Sequence, residues 1–294
     1  MKVKKMFTVI ALCLISVCSV FAQHRSDEDL LRACKKGILR DVQKSLLKDK
    51  ADPNAWQPNG SAKYTALGYA CESGDMNIVK MLVEAGANVN ANPKEYKSPL
   101  MIAVEKGDLN IIDYLINTCN ANPNICDIKG KTLLMTAVEG GKTDTVRLIL
   151  KSNFGDIDSV DNKNRNALHY AVIATNFSIV KQLLNEGINL YQCDDDGYTP
   201  FMRAAINQNS VMVKFFLRNV SSFDVNRKDD NGFPPLLLCI KKGFSITMIK
   251  AILRYGNEPT SVIDDDGNDI YYYLNRWGTE EMRDAVNEAK SKYY

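Results

Sequence analysis

The strongest constraint on this chain is a repeat. The segments "TALGYACESG" (65–74), "SPLMIAVEKG" (98–107), "TLLMTAVEGG" (132–141), "NALHYAVIAT" (166–175), "TPFMRAAINQ" (199–208) and "PPLLLCIKKG" (234–243) align without gaps. Their leucine-type position falls at Leu67, Leu100, Leu134, Leu168, Phe201 and Leu236, at intervals of 33 to 35 residues. Two weaker copies, "EDLLRACKKG" (28–37) and "DIYYYLNRWG" (269–278), flank them. A period of this length marks one supersecondary unit that cannot bury its apolar face alone, so the units must stack.

Each unit reads as two helices. Leu67 and Ala70–Cys71 form an apolar stripe with i, i+3, i+4 spacing, and Gly74 ends that helix. "DMNIVKMLVEAG" carries Ile78, Val79 and Leu82 at the same spacing and closes at Gly86. "ANVNANPKEYK" then has the composition of a turn.

On these residues the chain resembles the ankyrin-repeat family. That family's pattern runs Gly-x-Thr-Pro-Leu-His-x-Ala, then Gly, then a Val/Leu-rich helix ending Gly-Ala-Asp-Val-Asn. "GYTPFMRAA", "KSPLMIAVEKG" and "LVEAGANVNA" follow it closely, as do "NALHYA" and "LLNEGINL". The departures are Thr175 and Gln208 in place of the mid-repeat glycine, and the missing Thr-Pro pair in "NALHYA". The resemblance implies an all-α fold: an ankyrin-repeat solenoid of stacked helix-turn-helix units with projecting β-turn or hairpin tips. The units expected are 26–55, 56–91, 92–127, 128–161, 162–194, 195–229, 230–264 and 265–294, the first and last being divergent caps.

The N-terminus reads differently. "MKVKK" is a basic start, "MFTVIALCLISVCSVF" is apolar, and Val20 and Ala22 stand where a signal peptidase expects small residues. Residues 1–22 are therefore expected to be a cleaved secretory signal, with 23–294 as the repeat domain, exported to a periplasmic or extracellular location. The alternatives are an uncleaved anchor, or a lipidated Cys18, against which Val17 is bulky. The run is shorter than the roughly 20 residues of a spanning helix, and no later segment is long enough to span.

The leader holds three of the 37 basic residues and none of the 35 acids, so the remainder is close to neutral. Near-neutrality gives no footprint for nucleic acid. Sequons at Asn59, Asn176 and Asn219 matter only if the export route glycosylates.

Six cysteines follow the leader, an even count that in an exported chain suggests disulfides. The repeat argues against most of them. Cys34 and Cys71 share a column in adjacent units, and stacked helices lie about 8–10 Å apart, beyond the roughly 7 Å Cα limit of a disulfide. Cys239 replaces the motif alanine, and Cys126 and Cys193 lie two repeats apart. Only Cys119 and Cys126, on either limb of "CNANPNIC", are placed to bond.

His169 is the one histidine within the repeats, which invites a catalytic or metal reading. Its column elsewhere holds Leu31, Gly68, Met101, Met135, Met202, Leu237 and Tyr272. A base would not share a column with methionine, and a zinc site needs further nitrogen or sulfur ligands. The resemblance gives this imidazole a hydrogen-bonding role between neighbouring repeats.

Acidic tips occur at "CDDDGYTP" (193–200), "KDDNGFPP" (228–235) and "DDDGNDIY" (264–271). They lack the alternating acids and later Glu of a calcium loop. Turn chemistry explains them, and they favour a partner with a basic edge. No phosphate loop, dinucleotide fingerprint, nucleophile elbow or zinc-protease motif is present. The reading calls for no catalytic residue, no metal and no cofactor.

The resemblance implies a concave groove, lined by tips and first helices, that binds a protein. The inner columns there hold Tyr64, Tyr69, Arg165, Tyr170, Tyr198, Arg203, Phe233 and Tyr273, residue types enriched at binding hot spots. The richest cluster is Arg165, Tyr170, Tyr198, Arg203 and Phe233, although such side chains can also pack against neighbouring turns. The expected function is a monomeric exported scaffold that binds an unidentified protein partner non-covalently. The alternatives are a secreted effector or inhibitor of a host or competitor protein, and a hydrolase or ion-binding protein using the acidic tips.

Overall fold

The computed structural model describes residues 23–56, 63–92, 97–220, 223–255 and 259–292. The leader 1–22 and the sequon at Asn59 lie outside them. Among the described residues no helix is long and apolar enough to cross a membrane.

The helices come in pairs. They are α1 (23–36) and α2 (Leu39–Leu47), α3 (Ala66–Ser73) and α4 (Met76–Glu84), α5 (Pro99–Lys106) and α6 (Leu109–Asp113), then α7 (Leu133–Glu139) and α8 (Thr143–Ser152). The series continues with α9 (Ala167–Ile173) and α10 (Phe177–Asn185), α11 (Pro200–Ile206) and α12 (Ser210–Asn219), α13 (Pro235–Lys241) and α14 (Ile246–Tyr255), and α15 (Ile270–Trp277) and α16 (Glu280–Lys290). The chain divides into two compact units, one up to Thr145 and one from Val146. In the first unit α3 packs on α5 and α5 on α7; in the second α9 packs on α11, α11 on α13 and α13 on α15.

Local chemistry explains why each element starts and stops where it does. The first helix of a pair opens on a side chain that accepts an amide of its first turn. Thr65 takes Gly68 N, Ser98 takes Met101 N, Thr132 takes Met135 N, Asn166 takes His169 N and Thr199 takes Met202 N. The second helix opens likewise on Asp75, Asp108, Asn176 or Asn209. Such caps satisfy amides that have no partner inside the helix. The outer helices send Ile78, Val79 and Leu82, or Ile179, Val180 and Leu183, into the stack, where they are fully buried.

Two departures from the repeat pattern are absorbed by the backbone. The second helix of 92–127 runs one residue longer between its core leucine and the next buried alanine, Leu115 to Ala121 against Leu82 to Ala87. The extra residue widens the helix into a π turn at Tyr114–Thr118, and the closing bond from Ala121 N to Leu115 O is kept at 2.8 Å. Asn120 then takes the left-handed conformation that Gly86 has in the preceding repeat.

The second departure is the missing mid-repeat glycine. Thr175 and Gln208 hold φ of 56° and 53°, in the region that costs a side chain roughly 1–2 kcal/mol. Thr175 is compensated, because its hydroxyl accepts from Asn209 Nδ2 at 2.7 Å. Gln208→Gly is therefore expected to raise stability by about 1 kcal/mol. Thr175→Gly gains less, because it loses that bond. Urea titration of the two variants against the parent reads the difference.

Candidate functional site

Every tip from the fourth onward is built on one aspartate. Asp127, Asp161, Asp194, Asp229 and Asp264 each close the turn by donating their amide to the carbonyl four residues on, at 3.0–3.1 Å. In each, Oδ1 accepts the amide of that same residue: Lys131 at 3.0 Å, Arg165 at 2.9 Å, Tyr198 at 3.1 Å, Phe233 at 2.8 Å and Asn268 at 2.8 Å. The last four aspartates are buried. A buried carboxylate needs its second oxygen satisfied as well. The residue nine positions on supplies that donor: Tyr170 to Asp161, Arg203 to Asp194 and Tyr273 to Asp264. At Asp229 the corresponding residue is Leu238, and Oδ2 of Asp229 has no hydrogen-bond partner among the described residues.

This arrangement places the residues singled out from the sequence. Arg165 grips Asp161 through Nε at 3.0 Å and Nη2 at 2.6 Å, and Nη2 also donates to the Tyr170 hydroxyl at 2.9 Å. Burial pushes the Asp161 carboxyl up, but the bonds from Arg165, Tyr170 and the two turn amides outweigh it and bring its pKa to about 2. Arg203 bridges the buried Asp194 and the exposed Asp196, and its guanidinium lies 4.9 Å from the Tyr198 ring centre. Phe233 meets Tyr273 edge to face at 6.2 Å.

Tyr64 and Tyr69 belong to the first unit, where they pack at 5.4 Å and the Tyr69 hydroxyl accepts the Lys63 amide at 2.6 Å. Tyr64, Tyr69, Tyr170 and Tyr273 are all buried, so their rings serve the repeats themselves. Among the inner-column residues of the second unit, the two arginine clusters present an edge to solvent. There a cleft of about 550 Å³ is lined by Lys163, Arg165, Ile173, Asp196, Arg203 and Asn207, with Ile173 48% exposed.

The one pairing the sequence leaves open, Cys119 with Cys126, is not formed in the structure. Cys119 and Cys126 are free thiols. Cys119 caps the π turn and lies against the Tyr114 hydroxyl, whereas Cys126 is exposed and bridges to Thr132 at the base of the next tip. Cys34, Cys71 and Cys239 are buried and free, and burial pushes the Cys34 and Cys239 thiols up to about 12. Thiols held protonated in this way are poor nucleophiles.

His169 is fully buried, with Nδ1 2.9 Å from Asn166 Oδ1 and Nε2 3.2 Å from the Tyr198 carbonyl of the next repeat. Asn166 Nδ2 donates to the Asn189 carbonyl at 2.8 Å, which keeps its Oδ1 toward the ring. Burial lowers the imidazole pKa to about 4, against the pull of the Tyr198 carbonyl and Asp194. The unfolded chain therefore takes up this proton first, near its ordinary pKa of about 6.5. Stability is fully present above that pH and is lost as pH falls through about 4. His169→Met, matching Met135 and Met202 in the same column, is expected to flatten that loss. Urea midpoints at pH 7 and pH 5 check it.

Sequence reasoning missed the buried aspartates that hold the arginines, although a donor nine residues after Asp161, Asp194 and Asp264 was a readable signal. It also passed over the column that ends the inner helices: Lys35, Glu72, Glu105, Glu139, Ile173, Ile206, Lys241 and Arg276.

Comparison with known proteins agrees with the architecture. The family model "Ankyrin repeats (3 copies)" matches residues 30–125, 100–194 and 174–263. The chain is 32% identical over 163 residues to the putative ankyrin repeat protein FPV034 of Fowlpox virus (strain NVSL), covering 55% of this chain and 37% of that protein. It is 31% identical over 155 residues to Rabankyrin-5 of Mus musculus, covering 52% and 13%. It is 25% identical over 263 residues to the putative ankyrin repeat protein L371 of Acanthamoeba polyphaga mimivirus, covering 88% and 34%. The chain thus spans little more than a third of the length of these relatives, or less. The crystal structure of the Bcl-3 ankyrin repeat domain superposes with a TM-score of 0.65 at 22% identity, covering 76% of this chain and 98% of that one. The repeat period and the paired helices agree with these matches, and the chain belongs to the ankyrin-repeat family.

Proposed function

We propose that this chain is an exported, non-catalytic, monomeric scaffold that binds a protein partner through the inner face of its second unit. Ankyrin repeats bind protein partners, which gives the class of function. The observation that carries the site is the cleft beside Arg165 and Arg203, with the exposed Ile173 and Lys163 at its wall. Both guanidinium groups are already fixed by buried carboxylates, so a partner meets a surface that loses little rotamer freedom on binding. The basic and apolar run of residues 1–22 supports export.

The test is affinity capture from the exported fraction, using residues 23–294 as bait. The comparison variant is Lys163→Glu with Ile173→Glu, because Tyr170 and Arg203 hold buried aspartates and their loss would confuse folding with binding. Capture by the parent and loss in the variant supports the reading; equal capture by both places the site elsewhere. Export is tested separately by N-terminal sequencing of the secreted protein, which is expected to begin at Gln23.

A further inference from the structure

The column that ends the inner helices reverses its chemistry along the chain. It opens on Lys35, and the next three repeats hold acids, each paired within the chain: Glu105 with Lys97 at 2.8 Å, Glu139 with Lys131 at 2.6 Å and Glu72 with Lys106 at 3.8 Å. In the second unit it holds Ile173 and Ile206, then Lys241 and Arg276. The residue that faces Lys241, where Lys97 faces Glu105 and Lys131 faces Glu139, is Phe233. Lys241 Nζ lies 3.9 Å from the centre of that ring, and the Arg276 guanidinium lies 5.2 Å from the Trp277 ring. Neither cation has a carboxylate partner among the described residues.

The rings between the two cations are continuous. Phe233 meets Tyr273 at 6.2 Å, Tyr273 stacks on Trp277 at 5.4 Å, and Tyr272 edges onto both at 5.3 and 6.3 Å. Tyr272 is 43% and Trp277 39% exposed. The strip is therefore an apolar face with an unpaired cation at each end, on the packed helices α13 and α15.

We propose that this strip is a docking surface for an extended acidic segment of a partner protein, with carboxylates reaching Lys241 and Arg276 and apolar side chains lying on Tyr272 and Trp277. The assignment rests on the scaffold reading above and adds the chemistry of the partner. Charge complementarity carries it: the two cations stand in the column where the second to fourth repeats have an acid paired within the chain, and here the acid is missing. The spacing fits. Packed helices lie about 8–10 Å apart, and residues three apart in an extended polyproline-type segment are separated by about 9 Å on one face.

The test uses the full chain and a dye-labelled, end-blocked peptide of five Glu-Pro-Phe triplets, read by fluorescence anisotropy. A Lys-Pro-Phe peptide and a fifteen-nucleotide single strand serve as competitors of other chemistry. The expected result is saturable binding of the acidic peptide, at least tenfold tighter than either competitor. It is expected to weaken at least tenfold in Lys241→Glu with Arg276→Glu, two surface changes checked by circular dichroism. Absence of saturable binding, equal binding of the basic peptide, or indifference to the charge reversal overturns the proposal. Tighter binding of the oligonucleotide overturns it in favour of nucleic acid. A captured partner whose binding depends on Ile173 but not on Lys241 and Arg276 also overturns it while leaving the scaffold reading in place.

Discussion

Arg203→Leu is expected to lower the stability of the second unit by about 3 kcal/mol at neutral pH. Nε of Arg203 is the donor to the buried Oδ2 of Asp194, whose Oδ1 is already taken by the amides of Asp196 and Tyr198. Removing one member of a buried pair strands the other's charge, and that penalty exceeds the modest value of a surface ion pair. The chain contains its own version of the variant. Asp229 has Leu238 nine residues on, an unpartnered Oδ2, and a carboxyl pushed above its ordinary range by burial.

The same logic fixes the pH dependence. A carboxyl whose folded pKa is raised contributes most when protonated, so its contribution is present at low pH and lost as pH rises through the folded value. The deficit of Arg203→Leu is therefore expected to shrink between pH 7 and pH 4. Urea titrations at both values measure it. A deficit independent of pH would mean that Arg203 acts by packing over Tyr198 and not by holding Asp194. The reciprocal change, Leu238→Tyr, supplies the missing hydroxyl and is expected to add about 1 kcal/mol.

Phe201→Ala is expected to cost about 4 kcal/mol. Phe201 stands at the motif leucine position, is 1% exposed, and packs against Phe223 at 4.7 Å and Phe216 at 5.9 Å. Truncation leaves a void lined by two other rings, which are too large to collapse into it. Stacked repeats contact their neighbours, so the loss is felt first by the unit that contains the cavity. The two tryptophans report on this separately, since Trp56 lies in the first unit and Trp277 in the second. Denaturant titration of Phe201→Ala in Trp56→Phe and Trp277→Phe backgrounds is expected to move the Trp277 transition much further than the Trp56 transition. Equal movement would show that the chain unfolds as one cooperative body.

The helix pairs were legible in the sequence because their signals are local. Thr, Ser or Asn opens each inner helix of the middle repeats, a glycine commonly closes it, and Leu67, Leu100, Leu134 and Leu168 keep one phase. The inner face was legible as a set of positions but not as a set of exposures. Tyr170 and Tyr198 both fall in inner columns of the alignment, yet one hydroxyl is buried against Asp161 and the other ring lies half open under Arg203. That difference depends on which residue reaches the aspartate of its own tip, a contact across nine positions that helical periodicity does not report. The cysteines show the same limit: closeness along "CNANPNIC" says nothing of the π turn that ends on Cys119.

That π turn bears on how such a chain takes up a change of length. A residue inserted before Ala121 is taken up within a single helical turn, and the buried alanine returns to its place with its bond to Leu115 intact. The error in phase is cancelled where it arises instead of being passed to every later repeat. A change of length at this point therefore costs the fold little, because the helix widens by one residue and the buried alanine keeps its place.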